Sequence, residues 1–370
     1  MGDGAGAPVS LLPALVEVAE EVGGLRVLCG WCLGDEWAVL DHPSIELMTY
    51  MGGYAMRPIL SRGVGTYLPL RLGSLPAVLA TALRPDLVMV SGRMDGQRWS
   101  PGTEVSWMPA AIESGAAVVV ATSGHHPVGT WSMEIPAAQL AAVVTHEGWP
   151  AEITEPAIDE VSERIGRLVA ALIPAGANVQ FGPGAIGRAV LGSISAPVRL
   201  RSGVITDAAV DLDRRGLLLP GTVAAYALGS DRLYEWLGSG AVALERVEVT
   251  HDVTALAAAG VHAVNTALEI DGFGQVNVER VGNDVIAGVG GHADFALAGA
   301  RSPSGLSILA LPSRRSGRST LDVERLSGPV STSRSDIDIV VNEWGSVDLR
   351  PLGDAARRRE LLELWRLPAD

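Results

Sequence analysis

The sequence contains no lysine: all 28 of its basic side chains are arginine. That absence removes Schiff-base chemistry, attachment of pyridoxal phosphate and the lysine-bearing phosphate loop of nucleotide hydrolases. Arginine is left as the one long cation, and its planar fork suits phosphates and carboxylates. Cysteine is almost as scarce. Cys29 and Cys32 form a C-x-x-C pair, too few ligands for a zinc site. The motif follows a strand-like run, but no helix begins at its first thiol to depress the pKa, so both read as packed thiols in a reducing compartment. Positive charge is short overall, with 28 bases against 42 acids and a net charge of -14. This excludes a general binder of nucleic acid or of anionic membranes, which needs a basic face. No apolar run reaches the ~18 residues of a membrane helix. The opening Met1-Gly-Asp-Gly has neither the basic nor the apolar part of a secretory signal, so the expected location is the cytoplasm.

What the sequence does have is a large apolar share, 48% of 370 residues, enough for two domains with their own cores. Short apolar runs alternate with helical periodicity throughout. In the first half the pattern predicts helices at 11–21 and 75–83 and strands at 25–28, 45–50, 87–91 and 116–121. Around Pro150 to Pro156 the composition shifts to Pro, Glu and Thr, which places a boundary between domains at 1–152 and 153–370. An amphipathic helix follows at 158–172. The second half then reads as strand 178–181, helix 185–191, strand 198–201, helix 207–214, strand 222–228, helix 231–237, strand 242–249 and helix 253–258. Strands at 306–311 and 337–341 and a last helix at 354–365 complete it. The fold class expected is α/β: two similar open α/β domains with mostly parallel sheets.

Two glycine-rich loops stand out. Gly182-Pro-Gly-Ala-Ile-Gly187 fits G-x-G-x-x-G between a strand and a helix. A dinucleotide site would need an acid at the end of the next strand, and that strand ends Arg199-Leu-Arg-Ser-Gly203 instead. Its two arginines leave an NADP-dependent reductase as a minor alternative. The second loop, Gly288-Val-Gly-Gly-His292, precedes a helical stretch. Successive glycines there expose N–H groups that suit an oxyanion or a phosphate, or else form a plain tight turn. The cluster Ser313-Arg-Arg-Ser-Gly-Arg-Ser319 reads as a solvated loop or an anion site.

With these loops in place, the second half resembles the acetyl-CoA hydrolase/transferase family, the class I CoA-transferases that include 4-hydroxybutyrate CoA-transferase. The matching stretches run in order. They are Gln180–Gly187, Asp207-Ala-Ala-Val-Asp-Leu212, Leu228-Gly-Ser-Asp-Arg-Leu-Tyr234 and Val264-Asn-Thr-Ala-Leu-Glu-Ile-Asp271, then Gly274-Gln-Val-Asn277, Gly288-Val-Gly-Gly291 and Asn342-Glu-Trp-Gly-Ser-Val-Asp-Leu-Arg350. The first half matches less well, at Leu40-Asp-His-Pro43 and the Asp86–Ser91 strand, and lacks the family's usual opening strand–helix unit. The resemblance implies two α/β domains with the active site between them, coenzyme A or acyl-CoA as substrate, no metal, and a homodimer. Gly182, Gly184, Asn265, Gly288, Gly290 and Gly291 would bind CoA.

The resemblance also implies a ping-pong transferase whose glutamate attacks the acyl-CoA and becomes a glutamyl-CoA thioester. Counting back from Asp207 puts Gly203 at that nucleophile position, and no carboxylate lies between Pro197 and Thr206. The covalent intermediate cannot form on glycine. What remains is thioester hydrolysis or acyl transfer assisted by the backbone donors of Gly290 and Gly291. The alternative is a non-catalytic member that binds CoA or a partner chain. A general base for water would come from Glu36, Glu104, His125, His126 or His292, each of which is otherwise a surface or packing residue. Glu343 matches a family position near the active site, or forms a salt bridge with a nearby arginine. A glutamate introduced at 203 would be limited by backbone geometry if φ there is positive.

Overall fold

Apolar spacing sets the first helix. Leu12–Val22 turns Leu12, Leu15 and Ala19 to one buried side and stops at Gly23, whose φ is 83°. Reversal there costs a residue with a Cβ far more than glycine. Strand Leu25–Cys29 follows and pairs in parallel with Ile45–Thr49, Leu25 opposite Ile45. The computed structural model describes residues 1–129 and 131–368. These fall into two compact units, one of residues 1–153, 225–249 and 284–290, the other of residues 154–224, 250–283 and 291–370.

The described residues of the first unit include two sheets. One is the parallel set just described, closed by Thr66–Tyr67. Its core packs Trp37, Met56 and Ile59 with Cys29 and Cys32. Both thiols are free and buried, and burial raises the Cys32 pKa well above its ordinary value. The other sheet runs Leu87–Asp95, Ala117–Thr122 and Leu140–Thr145 in parallel. The first of these strands outlasts its apolar run by four residues and turns into Arg98–Ser100. Asp95 pairs with Arg98 across a two-residue loop, and Gly96 at φ 59° supplies the turn.

In the second unit, six strands lie side by side in the order Arg199–Ile205, Asn178–Phe181, Val261–Asn265, Leu306–Ala310, Ile339–Asn342 and Gly345–Asp348. The first five are parallel and the last is antiparallel. Every residue of Val261–Asn265 is buried, as expected of a parallel strand covered on both faces. Helices Glu160–Ala170 and Ala185–Ser193 pack closely through Gly166, where a Cβ would come within 2.6 Å of the Ala189 backbone. Asp159 caps the first of them by accepting from the Ser162 N–H at 2.7 Å.

One expected strand is shorter than its pattern. Val242–Leu244 is strand, but Val247–Thr250 is a helical turn. Arg246 makes ion pairs of 2.6 Å with both Glu113 and Glu248, and the Val247 N–H donates to the Ser106 carbonyl at 2.9 Å where the turn begins. Among the described residues no helix is long and apolar enough to cross a membrane.

Candidate functional site

Sites in open α/β sheets form beyond the carboxyl ends of parallel strands. In the second unit those ends carry Gly203, the Gly182–Gly187 loop, Asn265 and the start of helix His292–Arg301. Gly203 lies two residues before the end of its strand and is not among the glycines of positive φ. The backbone there accepts any residue. The obstacle to a side chain is His251: a Cβ on Gly203 would lie 3.1 Å from its Nε2 and 3.3 Å from the Phe295 ring. Gly291 faces the same imidazole, and a Cβ there would approach Nε2 to 2.5 Å. The imidazole therefore fills the gap between two glycines. Its Nδ1 is 2.9 Å from Thr250 Oγ1 and its ring leans on Phe295 at a centroid distance of 4.8 Å. The residue is 5% exposed, and desolvation pulls its pKa down to about 3. Among the described residues Nε2 has no hydrogen-bond partner.

The first glycine-rich loop opens onto a cleft of about 400 Å³ lined by Pro183, Gly184, Ala185, Thr266, Arg314 and Arg315, among others. Side chains at Gly182 or Gly184 would meet nothing within 4 Å, whereas a Cβ on Gly187 would lie 1.9 Å from the Gly182 oxygen. Gly187 is thus required by the turn itself, and Gly184, at φ 112°, by its backbone. The arginines stand on a hairpin, Arg314–Arg315 against Arg318–Ser319. Glu343 holds its base. The carboxylate accepts from the Ser313 N–H at 2.8 Å and the Ser313 hydroxyl at 2.5 Å. Its observed partner is therefore Ser313, where the sequence suggested an arginine. Asn265 accepts from Gln180 Nε2 at 3.3 Å, while its own Nδ2 and the Gln180 oxygen are buried without partners among the described residues. His292 is tied through Nδ1 to Thr332 Oγ1 at 2.8 Å, and desolvation lowers its pKa to about 4.

The first unit gathers most of the other candidates around a second cleft, of about 330 Å³, lined by Gly6, Glu36, His126, His146, Glu147 and Trp149 with others. His126 is 2% exposed, neither of its ring nitrogens has a partner among the described residues, and burial holds its pKa near 4. Glu104 sits across Gly6 from it: a Cβ on Gly6 would be 2.8 Å from Glu104 and 3.1 Å from His126. The Glu104 carboxyl takes hydrogen bonds from the Gly6 N–H and the Thr103 hydroxyl, yet desolvation dominates and pushes its pKa up to about 8. Expected as a base, it is held protonated at neutral pH. His125 lies apart, stacked on Trp149 at 3.9 Å and 3.7 Å from Glu147. In the second glycine-rich loop, Gly288 is required because a Cβ would come within 2.3 Å of the Tyr50 oxygen, and the Gly290 carbonyl accepts from the Leu72 N–H at 2.9 Å.

Nothing in the local sequence marks His251. It is a lone histidine between a helical turn and the helix Val253–Ala258. Only the fold brings it against Gly203, which lies 48 positions earlier in the chain.

A mostly parallel α/β fold with glycine loops at the strand ends places the chain among proteins of the CoA-transferase fold. Crystalline RipA from Yersinia pestis superimposes on it with a TM-score of 0.87 at 25% identity, covering 98% of this chain and 89% of that one. Residues 229–365 match the acetyl-CoA hydrolase/transferase C-terminal domain. Over 380 aligned residues the chain is 26% identical to 4-hydroxybutyrate coenzyme A transferase of Clostridium kluyveri, spanning 97% of this chain and 88% of the relative. It is 30% identical over 273 residues to an acetyl-CoA hydrolase of Candida albicans, spanning 69% of this chain and 48% of the relative. Residues 229–365 thus carry the C-terminal domain of the acetyl-CoA hydrolase/transferase family, and the chain as a whole is similar to CoA transferases.

Proposed function

We propose that this protein is an acyl-CoA-handling enzyme that cleaves the thioester without passing through a glutamyl-CoA intermediate. The observation that carries this reading is Gly203 with the His251 imidazole packed against it. The position has no carboxylate, and the space beside it is occupied. Relatives named as CoA transferases and acetyl-CoA hydrolases supply the substrate class. The arginine-lined cleft beside Gly184 fits the phosphates of coenzyme A, with Arg314 and Arg315 as the cations. The helix beginning at His292 presents the Gly291 backbone to an anionic centre, which favours the oxyanion of a thioester under attack.

Release of free thiol from acetyl-CoA and longer acyl-CoA, with and without added acetate, tests the reading. We expect release that does not depend on acetate. Binding of CoA with no thiol release would move the protein to the non-catalytic reading, and no CoA binding at millimolar concentration would remove both. Assembly as a homodimer, implied by the family resemblance, is part of the same proposal. Light scattering giving the 38.5 kDa mass of one chain would refute it.

A further inference from the structure

We propose that His251 is the catalytic residue of this site, the general base that activates water against the acyl-CoA carbonyl in place of the missing glutamate. The inference rests on the function proposed above and assigns its chemistry to a residue.

Three observations converge on it. First, position. Nε2 lies 3.1 Å from where a Gly203 Cβ would be and 2.5 Å from where a Gly291 Cβ would be. It occupies the start of the path that a glutamate side chain from position 203 would take, and it faces the N-terminus of helix His292–Arg301. Second, an unfilled hydrogen bond. Nε2 is buried and has no partner among the described residues, and a buried polar atom is seldom left so unless something else satisfies it. Third, orientation. Thr250 Oγ1 at 2.9 Å from Nδ1 fixes the ring, and Phe295 packs against its face. In the tautomer that donates Nδ1–H to Thr250, Nε2 carries the lone pair on the side of the two glycines. Burial keeps the ring neutral and also weakens it as a base, so it is position rather than basicity that fits the ring to the role. Gly203 and His251 form a linked pair: the glycine makes room for the ring.

The reaction balances without a cofactor. A water between Nε2 and the thioester gives a proton to Nε2 as its oxygen bonds to the carbonyl carbon. The carbonyl electrons move onto oxygen, where the Gly291 backbone lies. Collapse breaks the carbon–sulfur bond, and the leaving thiolate takes the proton from Nε2. The products are a carboxylic acid and free CoA thiol. The imidazole ends as it began, and nothing is oxidised or reduced.

His251→Gln tests the assignment, read by thiol release and by calorimetric titration with CoA. General bases contribute about 10²–10⁴-fold, so we expect kcat to fall about 100-fold or more while CoA affinity stays within about threefold. His251→Gly guards against a misfolded glutamine variant. Its cavity admits free imidazole, and added imidazole is expected to restore thiol release. Glutamine turnover within threefold of the wild type would overturn the base assignment while leaving thioester cleavage intact. So would a folded, CoA-binding glycine variant that imidazole does not rescue. If both variants lose CoA binding together with turnover, the ring serves packing alone and the proposal falls. Absence of thiol release and of CoA binding in the wild type would instead overturn the function on which the proposal rests.

Discussion

Asp3 shows how much a single buried carboxylate organises. Its oxygens accept hydrogen bonds from the Tyr50 hydroxyl at 2.5 Å, the Trp31 N–H at 2.8 Å, the Trp107 indole at 3.2 Å and the Tyr226 hydroxyl at 3.1 Å. Asp3→Ala leaves these donors buried and unpaired, and each such group costs about 1–3 kcal/mol. We expect a loss of about 3 kcal/mol or more, read as a lower urea midpoint. Glu104 makes a second prediction, with a definite sign. A carboxyl whose folded pKa is raised to about 8 stays protonated in the fold while the unfolded chain ionises above its ordinary value of 4.5. Stability from this group therefore falls as pH rises from about 4.5 to 8 and levels beyond. Glu104→Gln removes the dependence, so its melting temperature is expected to gain on the wild type across that window. A constant difference between the two proteins would contradict this. Side-chain identity was legible here, but burial was not. The same Glu104 reads as a base in the sequence, and burial in the fold raises its pKa. His251 carries no local pattern at all, because its neighbours are far away in the chain.

At the scale of elements, apolar runs identified the parallel strands of the second unit well, since strands buried on both faces are written as continuous hydrophobic stretches. Helices 207–214, 231–237 and 253–258 agree with the structure to the residue. The reading failed where a strand stops before its apolar pattern ends, as after Leu244, and where one outlasts it, as at the Asp95–Arg98 turn. It also could not tell which glycine in a loop is forced. Gly187 and Gly288 are fixed by close backbone approach, while Gly182 faces open space. The linked pair of Gly203 and His251 gives a prediction at this scale. Gly203→Glu meets the imidazole rather than a hostile φ, so it should destabilise by about 1–3 kcal/mol through overpacking and produce no acetate exchange. Gly203→Glu combined with His251→Ala should recover most of that stability. Equal stabilities for the single and double variants would show that the ring is not the obstacle. The arginine hairpin gives another. Glu343→Ala releases Ser313 from the base of the hairpin, and is expected to raise the KM for acyl-CoA several-fold with little change in kcat.

Across the whole molecule, buried histidines and raised carboxyls set opposing pH limits. His126, His251 and His292 are held at about 4, 3 and 4 against an ordinary value of 6.5, chiefly by desolvation, with His146 and Arg93 adding to it at His126. A histidine buried neutral contributes stability that is complete above the unfolded value and is lost as pH falls toward the folded one. Stability is therefore expected to climb from about pH 4 to 6.5 and, under the influence of Glu104, to decline toward pH 8. Thermal melts across pH 4 to 9 would show a maximum near 6.5; a monotonic rise through pH 8 would contradict the burial assigned to Glu104.

The central claim is that thioester cleavage proceeds here without CoA becoming attached to the protein. Intact and peptide mass spectrometry after incubation with acetyl-CoA and borohydride tests this most directly, since borohydride preserves the trace of an enzyme-bound thioester by reducing it. The account requires an unchanged mass for the peptide spanning residues 197–207 while free thiol accumulates in the same tube. A CoA adduct, or its reduced remnant, on that peptide would contradict it.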